Sequence, residues 1–206
     1  MSELEESFPL FPLELVLLPH EVVPLHIFEE RYKLMIGSCL EQDSEFGILW
    51  LSDDGLREVG CSARVAQVLE RAEDGRMNIL AQGGRPFRLD RRIEELPYPA
   101  GDVEFLDDDY EDEDSDVLET ARERYANLVE HVTDERPSED QLAELGAYGM
   151  AATIELSPAP KQALLEERSE AARLRVVSEL FELARRQLEQ AERAHELARS
   201  NGKVRL

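Results

Sequence analysis

The sequence lacks both a long apolar run and a basic, apolar amino terminus. Its longest uninterrupted apolar stretch covers only a few residues near positions 15–18, whereas a helix needs about 20 apolar residues to span a bilayer. Residues 1–6 include three glutamates where a secretory signal would have lysine or arginine followed by an apolar segment. We therefore expect a cytoplasmic protein that does not have a membrane as its partner.

Cysteine is almost absent, since Cys39 and Cys61 are the two thiols of the chain. Two thiols supply neither a network of disulfides nor a four-cysteine zinc site, and we expect both to be small buried side chains. His20 and His26 lie close to glutamates in the sequence, but a metal site would need a third ligand that converges with them. The sequence therefore predicts no metal and no cofactor.

The common catalytic motifs are also missing. Gly83-Gly84-Arg85 lacks the downstream lysine and helix of a phosphate-binding loop, which excludes ATP hydrolysis by that route. His20-Glu21 is not followed by the second histidine of a zinc-protease helix, and the chain has no Gly-x-Ser-x-Gly motif. We predict that the chain is not an enzyme.

Positive charge is scarce, because 23 Lys and Arg residues stand against 46 Asp and Glu residues and give a formal net charge of −23. Such a surface repels phosphate backbones, so we do not expect nucleic acid as a partner. One dense group of arginines is a candidate anion-binding site, although such groups usually face water or pair with neighbouring acids. It consists of Arg85, Arg88, Arg91 and Arg92.

Prolines, turn residues and short apolar segments characterise the first half of the chain, a pattern that favours strands. The first strand is predicted at a sheet edge, because proline lacks the amide hydrogen that a central ladder needs. An apolar face with helical spacing predicts one early helix over residues 28–41. Six or seven short strands with one helix indicate a β barrel or sandwich. The predicted strands cover residues 8–13, 21–27, 46–51, 59–69, 77–82, 87–93 and 101–106.

The second half has helical spacing and begins after an acidic run. Eight of the ten residues at 107–116 are acids, which repel one another and indicate a solvated connector. In the last helix Leu174, Phe181 and Leu188 recur every seven residues, and the apolar stripe then fades to alanines, so we expect the final turns to protrude or to meet a partner. The predicted domains are a β-barrel subdomain at 1–106, the acidic connector at 107–116 and an α-helical subdomain with a long terminal helix at 117–206.

A specific pattern occupies residues 8–32. An opening strand of the Leu-Pro-Leu-Phe-Pro type precedes a Pro-x-x-x-x-Pro-Leu-x-Ile-Phe-Glu-x-Arg-Tyr segment, here from Pro19 to Tyr32. Later pieces agree with it, including Gly83-Gly84-Arg85 and Leu96-Pro97-Tyr98. Together they resemble the Lon protease amino-terminal, substrate-binding domain family over nearly the whole chain.

The resemblance implies an α+β fold, in which a PUA-like β barrel with one early helix is followed by a C-terminal α-helical bundle. It also implies a noncatalytic module that binds unfolded polypeptide or a protein partner, because the chain has neither the ATPase motifs nor the Ser-Lys protease motifs of full Lon proteases. We expect binding through apolar surface between barrel and bundle, with Phe28 and Tyr32 also plugging the barrel from the early helix. The candidate contact residues are Leu25, Phe28, Tyr32, Phe181 and Leu188.

Two alternatives stay open at this point. The PUA-like relationship is compatible with RNA binding, with residues 85–92 as the contact surface. A pocket at the side of the barrel could instead hold a small molecule or a hydrolase site. The sequence leaves the oligomeric state open.

Overall fold

The computed structural model describes residues 3–110 and 114–201. The chain divides into two compact units, of which the first comprises Met1–Glu111 with Ala151–Ser169 and the second comprises Asp112–Met150 with Glu170–Leu206. The described strands are β1 (Leu4–Leu13), β2 (Val22–Ile27), β3 (Phe46–Ser52), β4 (Gly55–Arg71), β5 (Met77–Ile93) and β6 (Ala100–Phe105). The described helices are α1 (Glu30–Gln42), α2 (Ser115–Thr133), α3 (Glu139–Ala143), α4 (Ala147–Ala151), α5 (Pro158–Glu166) and α6 (Glu170–Asn201).

The strands of the first unit form one mixed sheet. Their order is β2-β5-β4-β3-β1-β6, and β6 also pairs with β5, so the pairing of five strands returns to its starting point. β1 runs parallel to β3, and the other pairings between these strands are antiparallel. The predicted α+β fold, with strands in the first half and helices in the second, is confirmed.

Three phenylalanines lie at the centre of the first unit's core. Phe8, Phe87 and Phe105 are buried, and their ring centroids lie 5.6 to 6.4 Å apart in edge-to-face geometry. Each such pair adds about 0.5–1.5 kcal/mol beyond the apolar area that it buries. The same cluster contains Leu10, Leu49, Leu89 and Val103. It therefore holds β1, β3, β5 and β6 together.

β1 is not the edge strand that the sequence predicts. It pairs with β6 between Leu4 and Pro9 and with β3 between Leu10 and Leu13, so it has neighbours on both sides. The two pairings occupy successive parts of the strand, so each paired residue of β1 has a neighbouring strand on one side only. Pro9 and Pro12, which have no amide hydrogen to donate, are tolerated because each needs to bond to only one neighbouring strand.

β5 is one continuous strand where the sequence predicts two. Glycine and proline at residues 83–86 suggest a break, yet the pairing with β4 continues across them with shifts of register. The loop before β2 docks on this point, because the His20 amide donates to the Gly83 carbonyl at 3.0 Å and the Gly83 amide donates to the Glu21 carbonyl at 2.8 Å. A Cβ at Gly83 would lie 2.1 Å from the carbonyl oxygen of Leu18, so a side chain there would clash with backbone.

α1 begins at Glu30, and Phe28 lies outside it. The backbone of Glu29 is extended, so the helix starts after Glu29 and does not include Phe28. Phe28 is 58% exposed, so the prediction that it plugs the sheet was wrong. Tyr32 is buried, and its ring centroid lies 4.1 Å from that of Phe11. The buried face of α1 consists of Tyr32, Met35, Ile36 and Cys39.

α5 belongs to the first unit, although residues 117–206 were expected to form one helical subdomain. The buried Gln162 amide donates to the carbonyl of Val59 at 3.0 Å. Lys161 donates to the carboxylate of Glu21 at 2.5 Å, and both side chains are only 12% exposed. That the predicted boundaries delimit independently folding domains stays a prediction.

α2 and α6 run side by side in the second unit. Asp114, next to the start of α2, forms an ion pair with Arg175 at 3.2 Å, and the His131 ring near the end of α2 lies 3.2 Å from the carboxylate of Glu192. The two helices are therefore parallel. The heptad stripe is buried in its first part, at Leu174, Val177 and Phe181. Across residues 3–110 and 114–201, every helix is either too short or too polar to span a lipid bilayer.

Candidate functional site

Two adjoining cavities lie in the first unit, with volumes of about 770 and 390 Å³. They have five lining residues in common, which are Pro12, Arg31, Leu56, Arg92 and Pro99. We call the two cavities together the apolar groove. Its other lining residues are Leu10, Phe11, Leu13, Glu14, His26, Phe28, Glu29, Tyr32, Leu51, Ile93, Glu94, Leu96, Pro97, Tyr98 and Ala100.

Four junctions between elements supply these residues. They are the end of β1, the connection from β2 to α1, the β3–β4 hairpin and the connection from β5 to β6. Because β1 runs parallel to β3 and antiparallel to β6, the first, third and fourth junctions lie at the same end of the sheet. The hairpin turns at Gly55, whose φ of 115° is readily adopted only by glycine.

Large apolar side chains at the groove are open to solvent. Phe28 is 58% exposed, Leu51 is 45% exposed and Leu96 is 37% exposed. Covering such surface gains about 25 cal/mol per Å² of apolar area removed from water. Apolar residues that gather in one exposed patch mark interaction sites, whereas singly scattered ones do not.

Paired rings lie along the larger cavity. Tyr32 packs on Phe11 at an interplanar angle of 33°, and His26 stacks on Phe28 with centroids 5.6 Å apart. Burial raises the pKa of the Tyr32 hydroxyl above its ordinary value, and the nearby Arg31 partly opposes this effect. The phenol is therefore neutral at physiological pH, and the charge of the groove comes from its arginines and glutamates.

The two arginines that line both cavities differ in their partners. Arg31 pairs with the carboxylate of Glu29 at 2.8 Å, and its guanidinium lies 4.7 Å from the centroid of the Tyr32 ring. Arg92 has neither an ion pair nor a hydrogen bond of its side chain with any described residue. Arg92 therefore retains the donors of its guanidinium for a ligand.

The five predicted contact residues have different positions. Phe28 and Tyr32 line the apolar groove. Leu25 in β2 is 8% exposed and Phe181 in α6 is 0% exposed, so each has a packing role inside its own unit. Leu188 is 37% exposed on α6, in the second unit. A peptide contact through any of these five residues stays a prediction.

The four arginines of the predicted anion site fall into two classes. Arg85 pairs with Glu3 at 2.8 Å, and Arg91 pairs with Asp102 at 2.7 Å. Arg88 and Arg92 have no ion pair with a described residue. Half of the predicted basic group is thus already neutralised, and anion binding stays a prediction for the other half.

The Asp102 carboxylate, the partner of Arg91, accepts three hydrogen bonds. It accepts hydrogen bonds from Arg91 Nε at 3.0 Å and Arg91 Nη2 at 2.7 Å, and from the Ser7 amide at 3.1 Å. These bonds hold the pKa of Asp102 below its ordinary value, the bonds from Arg91 contributing most. Arg91 is consequently committed to a structural pair.

Sequence reasoning missed Leu51, Leu56 and Leu96 as lining residues. Leu51 and Leu56 flank a hairpin turn, and a leucine beside a tight, polar turn is a signal that could have identified them. Leu96 was noted only as part of a family motif. In the described part of the chain, no three His, Cys, Asp or Glu side chains are grouped as metal ligands would be.

A model of the ATP-dependent protease La (LON) substrate-binding domain matches residues 7–182. The chain belongs to this family. It is 23% identical over 146 residues to a Lon protease of Flavobacterium johnsoniae, an alignment that covers 66% of this chain and 18% of that protein. It is 26% identical over 206 residues to Lon protease 2 of Myxococcus xanthus, covering 87% of this chain and 24% of that protein. The chain thus corresponds to a quarter or less of the length of these relatives.

Solved structures agree with this assignment. A Lon N-terminal domain protein from Xanthomonas campestris superposes with a TM-score of 0.62 at 26% identity, covering 82% of this chain and 95% of that one. The N-terminal domain of a Mycobacterium avium complex Lon protease shares the fold with a TM-score of 0.64 at 21% identity, and the alignment covers 86% of this chain and 98% of that one. The predicted family is therefore confirmed, and it describes a substrate-binding domain that is not itself catalytic.

Proposed function

We propose that this chain binds unfolded polypeptide segments through the apolar groove and leaves peptide bonds intact. The observation that carries the proposal is the exposure of Phe28 and Leu51 at the cavity of about 770 Å³, and of Leu96 at the cavity of about 390 Å³, in a domain of the LON substrate-binding family. Folded proteins bury most of their large apolar side chains, whereas unfolded segments present them. A groove that offers apolar surface therefore binds unfolded segments in preference to folded proteins.

The dimensions of the groove support this class of ligand. Each cavity falls in or near the usual range of binding pockets, about 300–1,000 Å³. A buried aromatic side chain removes about 150–250 Å² from water, which corresponds to roughly 4–6 kcal/mol before the costs of ordering the segment. Two such side chains, less those costs, give dissociation constants near the micromolar range.

The composition of the lining favours binding over the alternatives. It contains no serine, threonine or cysteine, so an acyl-transfer nucleophile would have to come from elsewhere. Two of the four clustered arginines are paired with carboxylates, which weakens the case for an RNA surface. These observations support polypeptide as the ligand.

Fluorescence anisotropy with a labelled, permanently unfolded polypeptide tests the proposal. We expect micromolar binding by the unmodified chain and a roughly tenfold weaker dissociation constant for Phe28→Ser, because the exposed ring no longer covers the ligand. Leu34→Ser is the matched control, since Leu34 is 57% exposed on α1 and does not line the groove. Equal losses in both variants, or no binding by the unmodified chain, would contradict the proposal.

A further inference from the structure

We propose that the apolar groove prefers a polypeptide segment in which an acidic side chain lies between two apolar ones, and that Arg92 binds the acid. This inference rests on the proposed function. It adds that the ligand carries a negative charge and that this charge lies between two apolar side chains. It depends on where Arg92 lies, on the absence of an ion pair between Arg92 and any described residue, and on the apolar surface to either side.

Arg92 occupies the junction of the two cavities. It lies next to the end of β5, opposite Gly101 of β6, and it lines both the larger and the smaller cavity. Phe28 and Leu51 line only the larger cavity, and Leu96 lines only the smaller one. A ligand that fills both cavities must therefore pass Arg92 between its two apolar contacts.

No described carboxylate forms an ion pair with Arg92, and the glutamates that line the groove are Glu14, Glu29 and Glu94. Its neighbour Arg91 is paired with Asp102, and Arg31, the other arginine shared by both cavities, is paired with Glu29. A guanidinium offers five N–H donors in a planar arrangement that matches a carboxylate. A carboxylate in the ligand would supply the partner that Arg92 lacks.

The position between two cavities favours an acid inside a segment over a carboxylate at a chain end. A chain that ended at Arg92 would leave one of the cavities unfilled. In an extended segment, residues i−2, i and i+2 project from the same side, so an acid at position i can face Arg92 while apolar side chains at i−2 and i+2 enter the cavities. The preferred pattern is thus apolar-x-acid-x-apolar.

The negative charge of the whole chain does not oppose this preference strongly. The net charge of −23 repels acidic ligands at long range, but charges more than about 8 Å apart are largely screened at physiological salt. The contact with Arg92 is made at hydrogen-bond distance, where screening is weaker. We therefore expect the preference to decline, but not the apolar contribution, as salt increases.

Three peptides with blocked ends test the inference by fluorescence anisotropy. They share the pattern Phe-Ala-X-Ala-Leu within identical flanks, with X as Glu, Gln or Lys. We expect the Glu peptide to bind about 1.5-fold to fivefold more tightly than the Gln peptide at low salt, the range of a partly exposed charge contact. In Arg92→Gln the ratio of the two affinities should fall to about one, and in Arg92→Glu the Lys peptide should be preferred. Arg88→Gln, on the same strand but outside the groove lining, should keep the original ratio.

The outcomes separate this inference from the proposed function. Equal binding of the Glu and Gln peptides, with both weakened by Phe28→Ser, overturns the preference for an acid and leaves polypeptide binding in place. Tighter binding of a fourth peptide that ends with a free carboxylate at position X overturns the internal position of the acid. Absence of binding by all peptides overturns both proposals.

Discussion

Exposed apolar side chains occur in both compact units, but in the first unit some of them line the apolar groove. In the first unit, Phe28, Leu51 and Leu96 surround the apolar groove. In the second unit, exposed apolar side chains such as Leu183 and Leu188 lie along α6. A cavity of about 270 Å³ in the second unit is lined mainly by polar and charged residues.

This difference shows why exposure alone does not identify a binding site. A leucine on an isolated helix face can be covered from one side, whereas a side chain at the edge of a cavity is enclosed on several sides when a ligand enters. The free energy gained depends on the area removed from water. We therefore expect substitutions in the second unit to change stability, and substitutions in the groove to change binding.

The largest expected effect comes from the core of the second unit. Phe181 is fully buried, and its ring centroid lies 5.5 Å from that of Tyr125. Phe181→Ala should lower the free energy of unfolding by about 3–5 kcal/mol, measured by urea denaturation. Val132→Ala, at a site that is 63% exposed on α2, should change it by less than about 0.5 kcal/mol. Loss of polypeptide binding by Phe181→Ala, in conditions where the variant stays folded, would contradict the expectation that substitutions in the second unit change stability and not binding.

A smaller loss of stability is expected where α5 joins the first unit. Lys161→Met removes the partner of Glu21, whose side chain is only 12% exposed. Because Glu21 still accepts a hydrogen bond from the Leu18 amide, we expect a loss of about 2–3 kcal/mol, below the full cost of leaving a buried charge unpaired. The control is Arg57→Met. Arg57 pairs with Asp54, which is 88% exposed, so we expect the free energy of unfolding to change by less than about 0.5 kcal/mol. An equally small change in Lys161→Met would show that α5 contributes little to the first unit.

The pH dependence of stability tests whether Arg91 is committed to its pair. Because the pKa of Asp102 is lowered in the folded protein, its carboxylate stabilises the fold above the ordinary pKa of 3.8, and this stabilisation is lost as pH falls through the folded pKa. Asp102→Asn should therefore lower the melting temperature at pH 7, and this difference should shrink as the pH falls below about 4. Asp90→Asn, at an exposed site on β5 next to Arg91, is the control. A difference that stays constant down to pH 2 would contradict the assigned pair.

Local patterns were sufficient to predict most elements of the fold. Asp74-Gly75 is a strong hairpin signal in the sequence. The hairpin between β4 and β5 is present there: Gly75 adopts a φ of 83°, and the Arg76 amide donates to the carboxylate of Asp74 within the turn. Alternation and helical spacing depend on neighbouring residues, so a sequence displays them directly. The split of β5 was wrong because Gly83 is held in the strand by a loop more than 60 residues earlier in the chain.

The apolar groove was less predictable because its residues converge from distant segments. Pro12, Leu56 and Arg92 become neighbours of one cavity only through the pairing of the strands. Phe28 and Tyr32 could be selected through the family motif, and Arg92 through its basic neighbours. Nothing in the sequence pattern distinguishes Arg92 from Arg91, since the difference lies in which of them faces Asp102.

The smallest expected effect provides the closest test of the comparison between the units. Leu96 at the groove and Leu188 on α6 are each 37% exposed, so they differ in surroundings and not in accessibility. Leu96→Ser should weaken the binding of an unfolded polypeptide about threefold to fivefold, because less apolar area is covered when the smaller cavity fills. Leu188→Ser should leave the dissociation constant unchanged within a factor of about 1.5. If Leu188→Ser weakened binding as much as Leu96→Ser, the contact that the sequence predicts on α6 would be supported, and enclosure at a cavity would no longer explain which exposed leucines bind.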